Sequence, residues 1–318
     1  MKAGKQTTLA ARATVTGIGV HSGAPASLTF HPAEANTGIV FIRLDAKGRP
    51  EREIRAHAQY VTATELATVL GDDDHGPCVS TIEHIMATLC GLGVDNALIE
   101  IDGPEAPIMD GSAAAFVAAI DQAGIVSLQA PRRYTKVLKP IRVEKGEAFG
   151  ELTPYDRGFR VDVTIDFPHE LIGQQSIGFE VGATTFRREV ARARTFGFMR
   201  DVSRLWSAGY ARGSSLENTV VVADDRVLNP EGLRYTDEFV RHKALDAIGD
   251  LALAGAPLLG AYKSVKGGHK LNHAILCALI ADPTAWTVVE AKSELRATRS
   301  RGHADIAAAR PAYRADLS

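Results

Sequence analysis

Cysteine is scarce in this 318-residue sequence: Cys78, Cys90 and Cys277 lie far apart, with no CxxC spacing. That excludes a disulfide framework and a thiolate zinc site, and it fits a reducing cytoplasm. Net charge is nearly absent as well. At −2, with acids and bases interspersed, the chain offers no basic face to nucleic acid or to an anionic membrane. Long apolar runs are missing too: the N-terminal MKAGKQTTLAARATVTGIG has no hydrophobic stretch of the signal-peptide kind. LALAGAPLLGAY, the most apolar later segment, is too short and carries Pro257. Neither a signal peptide nor a membrane span is expected. HExxH does not occur, which removes the common metallopeptidase arrangement.

What is present is the balance of a soluble globular protein, 45% hydrophobic and 23% charged, in a chain long enough for two domains of ordinary size. The opening ATVTGIGVHSGAPASLTFHP alternates apolar and polar residues as half-buried antiparallel strands do, and GIVFIRL continues the pattern. STIEHIMATLCGL reads as a helix ending at Gly91 and Gly93, VDNALIEI as a strand, and Asp110 as a cap for a further helix that stops at Gly124. VSLQAPRRYTKVLKP (126–140) is the candidate boundary, dividing the chain into domains at 1–130 and 131–297. Element order then repeats in outline: strands, a helix, a glycine stop, a strand, a glycine-bearing loop, a helix. The expected class is therefore α+β, with two similar domains. Residues 298–318 read as a flexible tail, and His75 in the acidic loop GDDDHGP as an incidental metal contact.

In DEFVRHKALDAIGDL, His242, Asp246 and Asp250 recur every four residues and share one helical face, which is metal-ligand spacing. Lys243 and Arg241 pairing the acids on a wet stripe is the bland reading, but Phe239, Gly249 and Leu253 fall in the same sector, so the stripe is expected to be buried. A buried acid beside a buried histidine needs a partner, and a cation serves. His84, on the helix that occupies the equivalent place in the first half, supplies a third ligand. Glu83 before it either closes a capping box with Ser80 or acts as a base. Two imidazoles and one carboxylate leave an open position, as a catalytic rather than structural site requires. His269, in the loop KGGHK, is the candidate proton donor, kept charged by Asp250 one turn beyond Asp246.

The segments GIGVHSG, STIEHIMATLCGLGVDNALIEIDGPEAPIMDGSAAAF, RTFGFMRD, LRYTDEFVRHKALDAIGDL and GGHKLN together resemble the zinc-dependent UDP-3-O-acyl-N-acetylglucosamine deacetylases, which catalyse the committed step of lipid A biosynthesis. The likeness runs from about residue 7 to about residue 290. It implies that His84, His242 and Asp246 bind zinc, that Glu83 is the general base and His269 the general acid charged with help from Asp250, and that Lys243 lies near the water and the substrate. Thr195 matches the threonine that steadies the oxyanion. The implied fold packs helices between two outer sheets, with a βαβ insert near 179–222 forming a passage for the acyl chain. That places Phe196, Phe198, Leu205 and Trp206 along the chain's path, Ser214 beside the substrate, and Lys266 near the UDP phosphates. His21 is given no catalytic role. The ligand set suits ferrous iron as well as zinc, and a cytoplasmic monomer is expected. Two alternatives remain open from residues alone: a zinc amidase for another acylated sugar, and a metal-stabilised protein that only binds a lipid-linked sugar.

Overall fold

A computed structural model describes residues 4–71 and 76–291 of the chain; His75 and the expected tail at 298–318 lie outside the described residues. In the first half the alternating segments pair as predicted. Strands Ala13–Ile18, Pro25–Pro32, Ala97–Ile101, Ile39–Leu44 and Pro50–Arg55 form, in that spatial order, a five-stranded sheet. Two antiparallel hairpins flank Ala97–Ile101, which runs antiparallel to Pro25–Pro32 and parallel to Ile39–Leu44. Alternate side chains of Pro25–Pro32 and Ala97–Ile101 are buried, the period-2 pattern of a sheet with one face on the core.

Two helices belong to this half, α1 (Glu83–Leu92) and α2 (Ala114–Ala123). Helix α1 ends because Gly93 turns left-handed at φ 78°, so that its N–H and that of Val94 reach back to the carbonyls of Cys90 and Leu89. Asp110 does not cap α2: the helix starts at Ala114, and Asp110 instead accepts from Ser112 and pairs with Arg234 at 2.8 Å. The capping box at Ser80 is not used either, since Glu83 Oε2 accepts from the Thr68 N–H at 3.1 Å.

The second half repeats the first strand for strand. Hairpin Ile141–Lys145/Ala148–Thr153 and hairpin Phe159–Phe167/Gly173–Glu180 flank Leu258–Val265, again antiparallel to the first hairpin and parallel to the second. Arg133–Val137 and Trp286–Glu290 extend this sheet to seven strands. The candidate boundary segment 126–140 carries strand on both sides of Arg132. Ile125–Pro131 pairs with the N-terminal strand Lys5–Leu9, and Arg133–Val137 joins the second sheet.

Between the hairpins and the closing strand come α3 (Ala183–Glu189), the short α4 (Val202–Ser207), α5 (Glu238–Leu251) and then α6 (His269–Ala281) after it. Strands Phe196–Phe198 and Val220–Val222 pair in parallel on either side of α4, which is a βαβ unit within 179–222. Helices α5 and α6 pack on the second sheet and α2 on the strand Ala13–Ile18, while α1 and α5 press against each other. One continuous apolar core joins both halves.

The α1–α5 contact is as close as it is because Gly249 has no side chain. A Cβ there would stand 2.0 Å from the Glu83 carbonyl oxygen, a clash with backbone that no rotamer relieves. Gly249→Ala is accordingly expected to destabilise the fold by roughly 3 kcal/mol, the upper range for overpacking, and to spread α1 from α5. A urea denaturation midpoint equal to that of the wild type would show that the helices do not depend on this contact.

Candidate active site

The first turn of α1, the middle of α5 and the first residue of α6 meet at one point. Helix α1 brings Glu83 and His84, α5 brings His242, Asp246 and Asp250, and α6 opens with His269. All six side chains are buried. The ligand atoms of His84, His242 and Asp246 lie within 4.8 Å of one another. Asp246 Oδ1 is 3.3 Å from His242 Nε2 and 3.7 Å from His84 Nε2, and the two rings stand edge to face with centroids 5.0 Å apart.

The contact between His242 and Asp246 is not an ion pair. Burial, ahead of any opposing effect of Asp246, pushes the His242 imidazole down to about 3, so it is neutral near pH 7. Its one proton is on Nδ1, which donates to the Ala193 carbonyl at 3.0 Å. Nε2 therefore turns a lone pair toward Asp246 Oδ1, and that oxygen is itself buried without any hydrogen-bond donor. Lone pairs facing a buried carboxylate oxygen are unfavourable unless a cation lies among them. The Nδ1–H to carbonyl bond is also the usual outer-shell partner of a metal-binding histidine. By this test the three residues fit a divalent metal ion.

Around the triad the charges are disposed for proton transfer. Burial raises the proton affinity of Glu83, against the pull of His269 and His84. Burial alone would lower His269, but Asp250 first and then Glu83 outweigh it and push the imidazolium up to about 9. The direct cause is a 2.8 Å contact between His269 Nδ1 and Asp250 Oδ2. The other ring nitrogen, Nε2, is 3.9 Å from Glu83 Oε1 and from Asp246 Oδ2. For Lys243, burial is outweighed by Asp246, whose Oδ2 it meets at 2.8 Å, so the ammonium stays charged.

A cavity of about 200 Å³ opens onto this cluster, and Thr195, Phe196, Leu205 and Ser214 line it together with Lys243 and His269. Phe196 packs edge to face on Phe239 and Phe198, and Phe167 extends the aromatic wall. Phe198 is part of this wall, one residue removed from the cavity lining. Trp206 is 57% exposed, and its indole N–H is taken by the Ala211 carbonyl. Lys266 lies elsewhere: it borders a neighbouring cleft shared with His269, and its ammonium contacts Glu147 at 2.7 Å and Asp166 at 2.9 Å. His269 differs from its expected setting. It is not a loop residue but the first residue of α6, held by the helix.

With the geometry in place, comparison with known proteins is decisive. The sequence model of LpxC, UDP-3-O-acyl N-acetylglycosamine deacetylase, matches residues 6–281. The chain belongs to this family. Proteins named UDP-3-O-acyl-N-acetylglucosamine deacetylase from Brucella ovis, Brucella canis and Brucella abortus are each 49% identical to it over 287 residues, covering 90% of this chain and 99% of theirs. The stretch matched by the LpxC model contains every candidate residue from Glu83 to His269.

Four groups that hold this LpxC-family site together escaped the sequence reading. Thr68 contacts Glu83, Asp250 and His269, and Asn272 donates to Asp250 Oδ2 at 2.8 Å. Asn272 had a usable signal, since it follows His269 by three residues on a helix. Thr68, in ELATVL, had none. The Ala193 carbonyl is backbone and invisible to side-chain motifs. Arg194, 1% exposed, pairs with Glu238 at 2.9 Å and pins the segment carrying Ala193 and Thr195 to the first turn of α5.

Proposed function

We propose that this chain hydrolyses the acetamide of UDP-3-O-acyl-N-acetylglucosamine, releasing acetate and the free amine, the committed step of lipid A biosynthesis. The observation that carries the reading is Asp246 Oδ1, buried and donorless between two imidazole nitrogens, with the carboxylate of Glu83 and the imidazole of His269 beside it. His84, His242 and Asp246 would hold zinc. When bound, the ion supplies Lewis acidity, polarising the carbonyl and acidifying water at its open position.

The rest is the work of side chains. Glu83, its Oε2 occupied by the Thr68 N–H, takes the proton of the attacking water at Oε1 as oxygen bonds to the acetyl carbon. Lys243 and the Thr195 hydroxyl, both lining the cavity, stabilise the negative charge that develops on the carbonyl oxygen. His269 then gives the Nε2 proton to the sugar nitrogen as the C–N bond breaks, while Asp250 keeps the imidazolium charged until that moment. Phe196, Phe198 and Leu205 receive the acyl chain and Ser214 faces the sugar. Lys266 would reach the UDP phosphates only by exchanging its two carboxylate partners.

No helix among the described residues is long and apolar enough to cross a membrane. We take the protein to act in the cytoplasm as a monomer, with its two domains meeting near residue 130. Acetate release from the acylated UDP-sugar, lost with a chelator and restored by zinc, tests the reading. Equal kcat/KM on acylated and non-acylated UDP-sugars would point to a different amidase. Ferrous iron in protein purified without added metal would replace zinc.

A pH dependence follows. The reaction requires His269 protonated, and deprotonation occurs as pH rises through about 9. kcat/KM is expected to fall on the alkaline side there, and Asp250→Asn, which removes the counter-charge, to move that limb to lower pH. An alkaline limb unchanged in Asp250→Asn would assign it to some other group.

A further inference from the structure

Resting on the deacetylase reading, we propose that Thr68 is the positioning residue that sets Glu83 and His269 at a working distance from each other. It lies in the turn between strands Val61–Ala63 and Val69–Leu70, two residues after Leu66, whose φ of 63° is left-handed. The side chain is 1% exposed. Both sides of its backbone are fastened to the start of α1. The Thr68 N–H donates to Glu83 Oε2 at 3.1 Å, and its carbonyl accepts from the Ile82 N–H at 3.4 Å.

The hydroxyl points the other way, across to the second half of the molecule. Oγ1 donates to Asp250 Oδ1 at 2.6 Å and stands 3.4 Å from His269 Nδ1. A carboxylate only accepts, so the direction of that bond is set. With Oδ1 taken by Thr68, Oδ2 is left to accept from His269 Nδ1 and Asn272 Nδ2, each at 2.8 Å. One residue thus uses its amide to orient the proton acceptor and its hydroxyl to orient the partner of the proton donor. Glu83 is left with Oε1 free, 3.9 Å from His269 Nε2, so that both proton-carrying atoms face one substrate position. Glu83 comes from α1, and Asp250 and His269 from α5 and α6. The hydroxyl joins the two sets directly. Proton transfer in both directions depends on sub-ångström placement of these atoms, so loss of the bond is expressed in turnover rather than in binding.

Thr68→Val keeps the shape and the amide but removes the hydroxyl; Thr68→Ser keeps the hydroxyl. For Val, kcat for acetate release is expected to fall by about 10- to 100-fold, with KM and metal content close to wild type, as for other outer-shell orienting groups. Ser is expected to restore kcat to within about threefold of wild type. If the valine variant has a lowered denaturation midpoint, Thr68→Ala read against Thr68→Ser gives the same comparison. Wild-type kcat in the variants lacking the hydroxyl overturns the proposal. So does a serine variant as slow as valine, which would mark a packing role, or a raised KM at unchanged kcat, which would mark a substrate contact. Failure of the underlying reading looks different, because then the wild-type protein releases no acetate from the UDP-sugar at all, and the proposal falls with it.

Discussion

Replacing His269 with alanine is expected to lower kcat for acetate release by about 10³-fold, within the range for loss of a general acid, while metal content stays at the wild-type level. The separation of effects comes from geometry. His269 Nε2 stands 3.9 Å from Asp246 Oδ2, outside the set of three ligand atoms, and its Nδ1 is committed to Asp250. Removing the ring takes away an imidazolium that is charged near neutrality and lines the cavity, and Lys243, which also lines it, stays bound to Asp246 Oδ2 at 2.8 Å. Asp250 keeps two donors, Thr68 and Asn272, so the fold around it has no newly orphaned charge. Turnover within tenfold of wild type would remove His269 from the chemistry and leave the amine to collect its proton from solvent.

His242→Ala is expected to act at the other level. It deletes one of three ligand atoms and leaves the Ala193 carbonyl without its donor, so bound metal should be nearly lost and acetate release should fall by more than about 10³-fold. Metal analysis of the purified variant beside the wild type is the deciding measurement, and excess zinc in the assay should restore little. Full metal occupancy in His242→Ala would mean that the ion is held elsewhere, and the arrangement of His84, His242 and Asp246 would need another explanation. The two variants together distinguish a proton carrier from a ligand: one keeps the ion and loses the rate, the other loses both.

How much of this was legible in the chain depends on the range of the physics involved. Helix α5 and its stripe were legible because residues four apart on a helix share a face whatever surrounds them. The strand Leu258–Val265 and the stop at Gly93 were legible for the same local reason. Other local signals misled. Asp110 looks like a cap, yet Arg234, distant in sequence, claims its carboxylate. Nor do the bases and prolines of 126–140, the candidate boundary, announce the two strands found there, which pair with Lys5–Leu9 on one side and with the second sheet on the other. His269 looked like a loop residue because two glycines precede it, whereas Gly268 is where α6 begins.

By itself the amino-acid sequence determined which side chains are proposed to carry the chemistry, since metal-ligand spacing, helix periodicity and the run of motifs are properties of neighbouring residues. Only the tertiary structure decided how those side chains are joined: a neutral His242 turned by a backbone carbonyl, an Asp246 oxygen left without a donor, and a threonine hydroxyl 182 positions away from the aspartate it meets. The reason is physical. Burial, lone-pair direction and hydrogen-bond partnership are set by which surfaces close on each other, and here closure depends on a glycine narrow enough to let two helices touch.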